Sequence, residues 1–518
     1  MKRGVLQGDP LSPYLFNICL DWALSGLSSD VGAELGGHRL TYLAFADDVA
    51  LLANTRVGLQ RNLDSLSGEA RRIGLSLGVR KCATLGILAN KKRKTWAQDS
   101  KRFTLNESRI KSLTPGTFYK YLGIKLGAGS GATAFEIFKD LAAKLRVMQR
   151  APAKPQQKLW GLSKVLLPQL LYPLVNAASG KGQLRRGDRE VRRFVRSALH
   201  LPKDTPTGYF HTACAEGGLG VPALETLIPR LRADLRQRLL SSGDRVVRLA
   251  VETGGTEPEE PSPQQRRRGE RGYWSRRLYE AVDGRGLEGC HHTPASSAWV
   301  GDGSLLLKGK DFVQGVKLRG NLLNTKVRSA RGRQAEEINC DLCGRMPETL
   351  GHIEQRCGVL QEARIHRHDR IVSFALAKLT AAGFQTTREP AIPTTAGTRC
   401  PDIIAWGEAK GAWVLDAQVV ADAAAGSLHQ AHLRKMAYYA GNPDVVEYAR
   451  SLTGHPPVFS TITASWRGVL EPATQNTWTA MGLRTSDLKL LAVRVVEGGC
   501  MIYREFRRTS GSARPHPG

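Results

Sequence analysis

The sequence predicts a multidomain α+β protein, and three observations lead there. Short apolar runs punctuated by glycine fill residues 1–127, apolar residues recur at helical spacing from about 133 to 250, and a strand-and-helix unit occupies about 362–508. At roughly 100 to 200 residues per domain, 518 residues leave room for three to five domains with ample buried core. A hydrophobic content of 41% and a charged content of 24% are those of an ordinary globular chain. The excess of 75 Lys and Arg over 47 Asp and Glu, a net charge of +28, is therefore not that of a disordered tail, and it points to a polyanionic partner. Nine scattered cysteines do not form a dense disulfide framework, so a reducing compartment is expected. The best apolar run, Val165 to Val175, is broken by Pro168, Gln169 and Pro173 and falls short of the roughly 18 residues a membrane span needs. Asp9, Pro10 and Pro13 interrupt any signal-peptide core, so neither export nor a membrane partner is expected.

Within residues 1–127, a helix is expected over Tyr14–Leu27, followed by strands over Leu40–Phe45 and Val49–Ala53 that meet at Asp47 and Asp48. Two neighbouring carboxylates at a rigid hairpin tip are hard oxygen ligands suited to Mg²⁺, the chemistry of two-metal phosphoryl transfer. The flanking sequence GVLQGDPLSPYLFNICLD at 4–21 resembles the palm motif of reverse transcriptases, in which a Gly-containing turn and helix contact template and nucleotide. GLSLGVRKC at 74–82 and YKYLGIKL at 119–126 resemble the next two palm motifs, in the family's order. The resemblance implies that Asp47 and Asp48 are metal carboxylates, that Gln7, Gly8, Asp9 and Pro10 contact nucleotide, and that Lys81 lies on the phosphate side. The family's palm also carries a third metal-binding Asp on an earlier strand, with fingers upstream. Only three residues precede the motif here, so the expectation is an incomplete palm, an amino-terminal part that is missing, and no polymerisation by this chain alone.

Residues 128–250 read as a helical, thumb-like region. Val191, Phe194, Val195, Ala198 and Leu199 recur at helical spacing while Arg189, Arg192, Arg193 and Arg196 fall opposite them, either a solvated basic face or a phosphate-tracking one. Residues 251–272, rich in Pro, Gly, Glu and Arg, read as a linker. Residues 273–361 form a basic region that ends in Cys340-x₂-Cys343-x₈-His352-x₄-Cys357, a zinc-knuckle-like module whose three thiols and one imidazole are the donors of closed tetrahedral Zn²⁺ sites. Cys290, His291 and His292 are consecutive and are not expected to converge on one ion.

Residues 362–508 read as a restriction-like α/β endonuclease, with 509–518 as a frayed tail. RCPDIIAWGEAKGAWVLDAQVVAD at 399–422 reads as two strands around a turn at Gly407–Gly411, with Asp402 near the start of the first and Asp416 projecting from the second. Such a pair suits Mg²⁺ and cleavage of a phosphodiester, as in nucleases marked by Pro-Asp and then Asp or Glu, x, Lys. Glu408-Ala409-Lys410 offers a competing register. Asp416 is preferred because five intervening residues leave too little strand to return Glu408 to Asp402. Gln418 then occupies the Lys position, and Lys435 with Tyr438, one turn apart on the helix around 427–439, is the expected substitute.

The order of palm, basic helical region, Cys-Cys-His-Cys cluster and Pro-Asp…Asp unit resembles the Pol polyproteins of site-specific non-LTR retrotransposons of the R-two class. In that family a basic residue precedes Pro-Asp and 12 to 14 residues separate it from the acid. Here 13 residues separate Asp402 from Asp416, and Cys400 displaces Arg399 by one place. The family's downstream Lys and Tyr map onto Lys435 and Tyr438. The resemblance implies target-primed reverse transcription, with Mg²⁺ at both catalytic sites, structural Zn²⁺, an element RNA template, a chromosomal DNA target in ribosomal RNA genes, and a nuclear location. A nucleic-acid-binding scaffold with decayed sites and a group II intron-type maturase are the rival readings, and the maturase does not predict the order of zinc cluster then nuclease.

Overall fold

A computed structural model describes residues 5–6, 8–90, 95–99, 103–114, 116–127, 134–176, 179–254, 272–331, 337–408, 410–422 and 426–512. Gln7 and most of the expected linker and tail lie outside them. The chain divides into two compact units, Met1–Leu141 with Gln169–Gly187 and Leu224–Arg266, and Ala142–Pro168 with Asp188–Ala223 and Arg267–Gly518, so the helical stretch is shared between the two. No helix among the described residues is long and apolar enough to cross a membrane.

In the first unit, helix α1 (Ser12–Ser25) follows the turn at Gly8 and Asp9. Strands β1 (Tyr42–Phe45) and β2 (Asp48–Leu51) form an antiparallel hairpin with Phe45 opposite Asp48. Both strands are shorter than the sequence suggests, because Leu40 belongs to a separate two-stranded pair, Ala33–Leu35 with His38–Leu40. Helix α2 (Arg56–Arg72) starts at Thr55, whose hydroxyl accepts from the Gly58 N–H at 3.1 Å, and packs Leu66 with Ala23, Leu24 and Leu27 beneath the hairpin's Tyr42, Val49 and Leu51. The Asn62 amide fixes the connection by exchanging two 3.1 Å hydrogen bonds with the Ser28 backbone. A second hairpin pairs β3 (Phe118–Tyr121) with β4 (Ile124–Gly127).

The second unit carries most of α3 (Lys181–Ala198), α4 (Gly309–Arg319), the short α5 (Leu350–Gln355) and the long α6 (Gln361–Ala381). A four-stranded sheet follows in the order β5 (Gln385–Arg388), β6 (Ile403–Gly407), β7 (Gly411–Val420), β8 (Val458–Ser465), antiparallel except for the parallel β7–β8 pair. Between β7 and β8 the chain makes α7 (Ser427–Ala440) and α8 (Pro443–Ser451), and α9 (Thr485–Ser512) closes the unit. Period-two alternation sends Ile403, Ala405, Leu415 and Ala417 into one core with α6 and α9, and Ile404 and Val414 into another with Tyr439, Val445 and Ala449. With both faces covered, the central strands are almost continuously apolar, which makes the one acid within β7, Asp416, conspicuous.

The basic stretch before the cysteines is built into this unit. Asp283 accepts from Arg328 at 2.9 Å and from Arg331 at 2.6 and 2.8 Å, so these two arginines are largely occupied by an internal carboxylate.

Candidate catalytic and metal-binding sites

Ile403 pairs with Leu415, and one further step along the ladder sets Asp402 across from Asp416. Strand β6 ends there, and side chains take over its hydrogen bonding. Asp402 Oδ2 accepts the Ala417 N–H at 2.6 Å, and His368 Nε2, from α6, lies 3.1 Å from the Ala417 carbonyl and 3.2 Å from the same Oδ2. Both neighbours of that nitrogen are acceptors, so it carries the proton. Asp416 is buried, and its Oδ1 accepts from Lys435 Nζ at 3.2 Å and Tyr439 Oη at 3.0 Å. Its Oδ2 lies 3.1 Å from Lys435 Nζ. Burial and then the charge of Asp402 push the Asp416 carboxyl above its usual range, against the pull of Lys435 and Tyr439. Two acids whose charges oppose each other form a place where a divalent cation relieves both burial and repulsion.

One sequence assignment changes here. Lys435 and Tyr438 are indeed one turn apart, but the phenol that reaches Asp416 is Tyr439, at the i+4 position, whose hydroxyl oxygen also lies 3.1 Å from the Cys400 carbonyl. Tyr438 is 48% exposed, and the Arg399 guanidinium lies 4.6 Å from its ring centroid. Glu408 sits exposed in the hairpin turn, six residues or roughly 20 Å along the strand from Asp402. Gln418 donates to Thr463 at 2.8 Å. His368 was not among the expected residues, since no local pattern links it to a carboxylate 34 positions away.

The cysteine cluster converges. One donor atom from each of Cys340, Cys343, His352 and Cys357 lies within 4.8 Å of the others, with Cys340 and Cys357 sulfurs 4.0 Å apart and Cys343 Sγ 3.4 Å from His352 Nε2. Tetrahedral Zn–S bonds of about 2.3 Å place sulfurs roughly 3.8 Å apart, so the donor set fits a metal. Local structure prepares it. Cys340 N–H bonds the Met346 carbonyl at 2.8 Å, Gly344 takes the left-handed φ of 65°, and Thr349 caps α5 through the N–H of His352 at 3.0 Å. Burial pushes the Cys340 thiol up to about 11 and the Cys357 thiol up as well, whereas at Cys343 burial is outweighed by the Arg345 and Met346 backbone hydrogen bonds, which hold the thiol below its usual range; a metal bound here would displace the protons of the raised thiols. The Cys290 thiol instead accepts from Arg319 at 3.0 Å, and His291 and His292 form no cluster with it.

In the first unit, Asp47 and Asp48 lie exposed at the β1–β2 tip, where Ala46 adopts φ 50°. Asp9 is exposed and accepts the Leu11 N–H at 3.1 Å and the Ser12 hydroxyl at 3.4 Å, while Gly8 takes φ 92° and Pro10 is exposed. Lys81 is exposed at the end of a short 3₁₀ turn, and its carbonyl accepts from Tyr119 at 2.9 Å. Burial and then neighbouring negative charge, Asp48's included, push up the phenols of Tyr119 and Tyr121, so the third motif lies close to the acidic tip. On α3, Val191, Phe194, Val195, Ala198 and the adjoining Leu199 are buried as the spacing requires. Of the four arginines, Arg189 and Arg193 are exposed, Arg193 pairing with Glu190 at 2.9 Å. Arg192 instead reaches His211 at 3.0 Å, and Arg196 lies 4.8 Å from the Phe210 ring centroid.

Comparison with known proteins follows the same division. Residues 1–126 match the reverse transcriptase (RNA-dependent DNA polymerase) family. The chain is 35% identical over 526 residues to the retrovirus-related Pol polyprotein from the type-2 retrotransposable element R2DM of Drosophila melanogaster, covering 99% of this chain and 49% of that protein. It is 33% identical over 513 residues to the Pol polyprotein from the type-1 element R2 of Nasonia vitripennis, covering 98% and 49%, and 27% identical over 535 residues to that of Bradysia coprophila, covering 98% and 59%. The chain is thus similar to R2 retrotransposon Pol polyproteins along nearly all its length. It spans about half the length of the first two relatives.

Proposed function

We propose that this chain is the polymerase-to-endonuclease portion of a non-LTR retrotransposon Pol protein, the whole of which acts as an RNA-directed DNA polymerase and a DNA-nicking endonuclease in target-primed reverse transcription. The observation that carries the nuclease half is the cross-strand pair Asp402 and Asp416, with Asp416 driven toward its neutral form by burial and by its neighbour. The two carboxylates would hold Mg²⁺, which when bound would polarise the scissile phosphodiester and water. His368 holds Asp402, Tyr439 and Lys435 hold Asp416, and Lys435 supplies the positive charge that Gln418 lacks. The polymerase half rests on the family match over residues 1–126 and on the exposed Asp47–Asp48 tip. Zn²⁺ fits the four-donor cluster as a structural ion. An element RNA as template, chromosomal DNA in ribosomal RNA genes as target and a nuclear location follow from the resemblance.

A supercoiled-plasmid nicking assay in Mg²⁺ tests the reading. Asp416→Ala is expected to abolish nicking with folding intact, and Glu408→Ala to leave it. The reverse pattern overturns the assignment.

A further inference from the structure

Several cations of the second unit are held by carboxylates. Lys326 pairs with Asp341, Lys378 with Asp487, Lys489 with Asp302, and Arg370 and Arg494 with Glu497. Others gather in the cleft between α4 and α9, which is lined by Lys310, Val313, Gln314 and Lys317 from one helix and Tyr503, Arg504 and Arg507 from the other. Residues 310, 313, 314 and 317 recur at the spacing of a single helix face, and 503, 504 and 507 do the same. The helices cross closely because Gly315 and Gly499 face the partner helix. A Cβ on the first would meet Val496 at 2.9 Å, and one on the second would meet Leu318 at 2.7 Å.

The cleft holds about 340 Å³. Its floor is apolar, made of Val313, Leu323 and the Tyr503 ring, whose hydroxyl is turned away to the Asn324 carbonyl at 2.7 Å. Arg504 is anchored by Gln314 Oε1 at 2.7 Å and by Asp311, and Gln314 in turn donates to the Cys500 carbonyl at 3.1 Å. Among the described residues no carboxylate pairs with Lys310, Lys317 or Arg507. Lys317 is half-buried, and desolvation lowers its affinity for the proton with no acid to offset it. Four cations thus face one carboxylate that is already engaged.

We infer that this cleft is a docking site for the phosphodiester backbone of a nucleic acid, separate from both candidate catalytic sites. Lys310 and Lys317 stand seven residues apart, about 10.5 Å along the helix, far enough for their ammonium groups to reach different phosphates of one strand. Ammonium and guanidinium donors over an apolar floor suit a repeating monoanion that contributes sugar as well as phosphate. Gln314 and Arg504 are already held by partners within the chain, so the contact goes to the backbone and not to base edges.

The test measures binding in EDTA, so it is independent of cleavage and of the catalytic assignments. Fluorescence anisotropy of a labelled 20-nucleotide RNA and of a 20-base-pair DNA duplex is followed from low to moderate KCl for the 518-residue chain. The groove variant combines Lys310→Gln, Lys317→Met and Arg507→Gln; the charge-matched control combines Lys203→Gln, Arg450→Gln and Arg484→Gln, exposed positions outside the cleft. The groove variant is expected to flatten the log–log salt dependence by roughly 2 to 3 and to weaken binding at least about tenfold in moderate salt, while the control changes neither. Loss with RNA alone, DNA alone or both identifies the polymer. Slopes that match the control with both probes overturn the proposal, as does selective loss of polyglutamate binding with nucleic acid unaffected. If the triple variant unfolds, Arg507→Gln alone, at an exposed position, should flatten the slope by about 0.9, and no change there also overturns it.

Discussion

Replacing His368 with alanine should weaken the divalent-ion site without disturbing the fold. The imidazole Nε2–H lies 3.2 Å from Asp402 Oδ2, and among the described residues the only other donor on that oxygen is the Ala417 N–H at 2.6 Å. A hydrogen bond to a charged group contributes about 1.5–3 kcal/mol, and loss of an outer-shell partner typically lowers metal affinity about 10–100-fold. His368→Ala should therefore raise the Mg²⁺ concentration for half-maximal nicking by that factor and weaken Mn²⁺ binding in calorimetry to match. His368→Gln, which can return a donor near the Nε2 position, should recover part of both. Metal-free DNA affinity should not move. Half-saturating Mg²⁺ within twofold of the parent, with calorimetry unchanged, would refute the claim that His368 positions Asp402.

Three further outcomes follow from the same geometry. Tyr439→Phe should slow nicking about tenfold through loss of one hydrogen bond to Asp416, whereas Tyr438→Phe should change it little because the ring that meets Arg399 is kept; steady-state rates distinguish them. Elemental analysis should find one zinc per chain, lost from the double variant Cys343→Ser, Cys357→Ser. Burial opposes the ionised Asp283 carboxyl, but the hydrogen bonds of Arg331 and Arg328 outweigh it and hold its pKa below the ordinary 3.8. Its contribution is thus present above that value and lost as pH falls below it. Asp283→Asn should lower the stability of the second unit by about 3–5 kcal/mol near neutral pH, with a smaller difference in acid, as read from urea unfolding.

What the sequence makes legible is local. The Asp47–Asp48 hairpin follows from two apolar runs and the turn between them, and the convergence of four metal donors follows from their spacing within 18 residues. The opposition of Asp402 and Asp416 follows from strand length and the turn at Gly407–Gly411. What stays hidden depends on tertiary placement. His368 reaches Asp402 only because α6 packs on the sheet, and positions i+3 and i+4 on α7 cannot be ranked until the helix is rotated against β7, which selects Tyr439 over Tyr438. Likewise the arginines of α3 look alike in sequence, yet two are exposed and two are drawn onto His211 and Phe210.

The claim on which the nuclease reading stands is that Asp402 and Asp416 together hold one divalent ion. Anomalous scattering from crystals soaked in MnCl₂ measures this directly. The account predicts a manganese peak within about 2.0–2.3 Å of an oxygen from each carboxylate, absent in crystals of Asp416→Asn. A peak at Glu408 instead, or none between the two acids at saturating Mn²⁺ with the β6–β7 pairing intact, contradicts it.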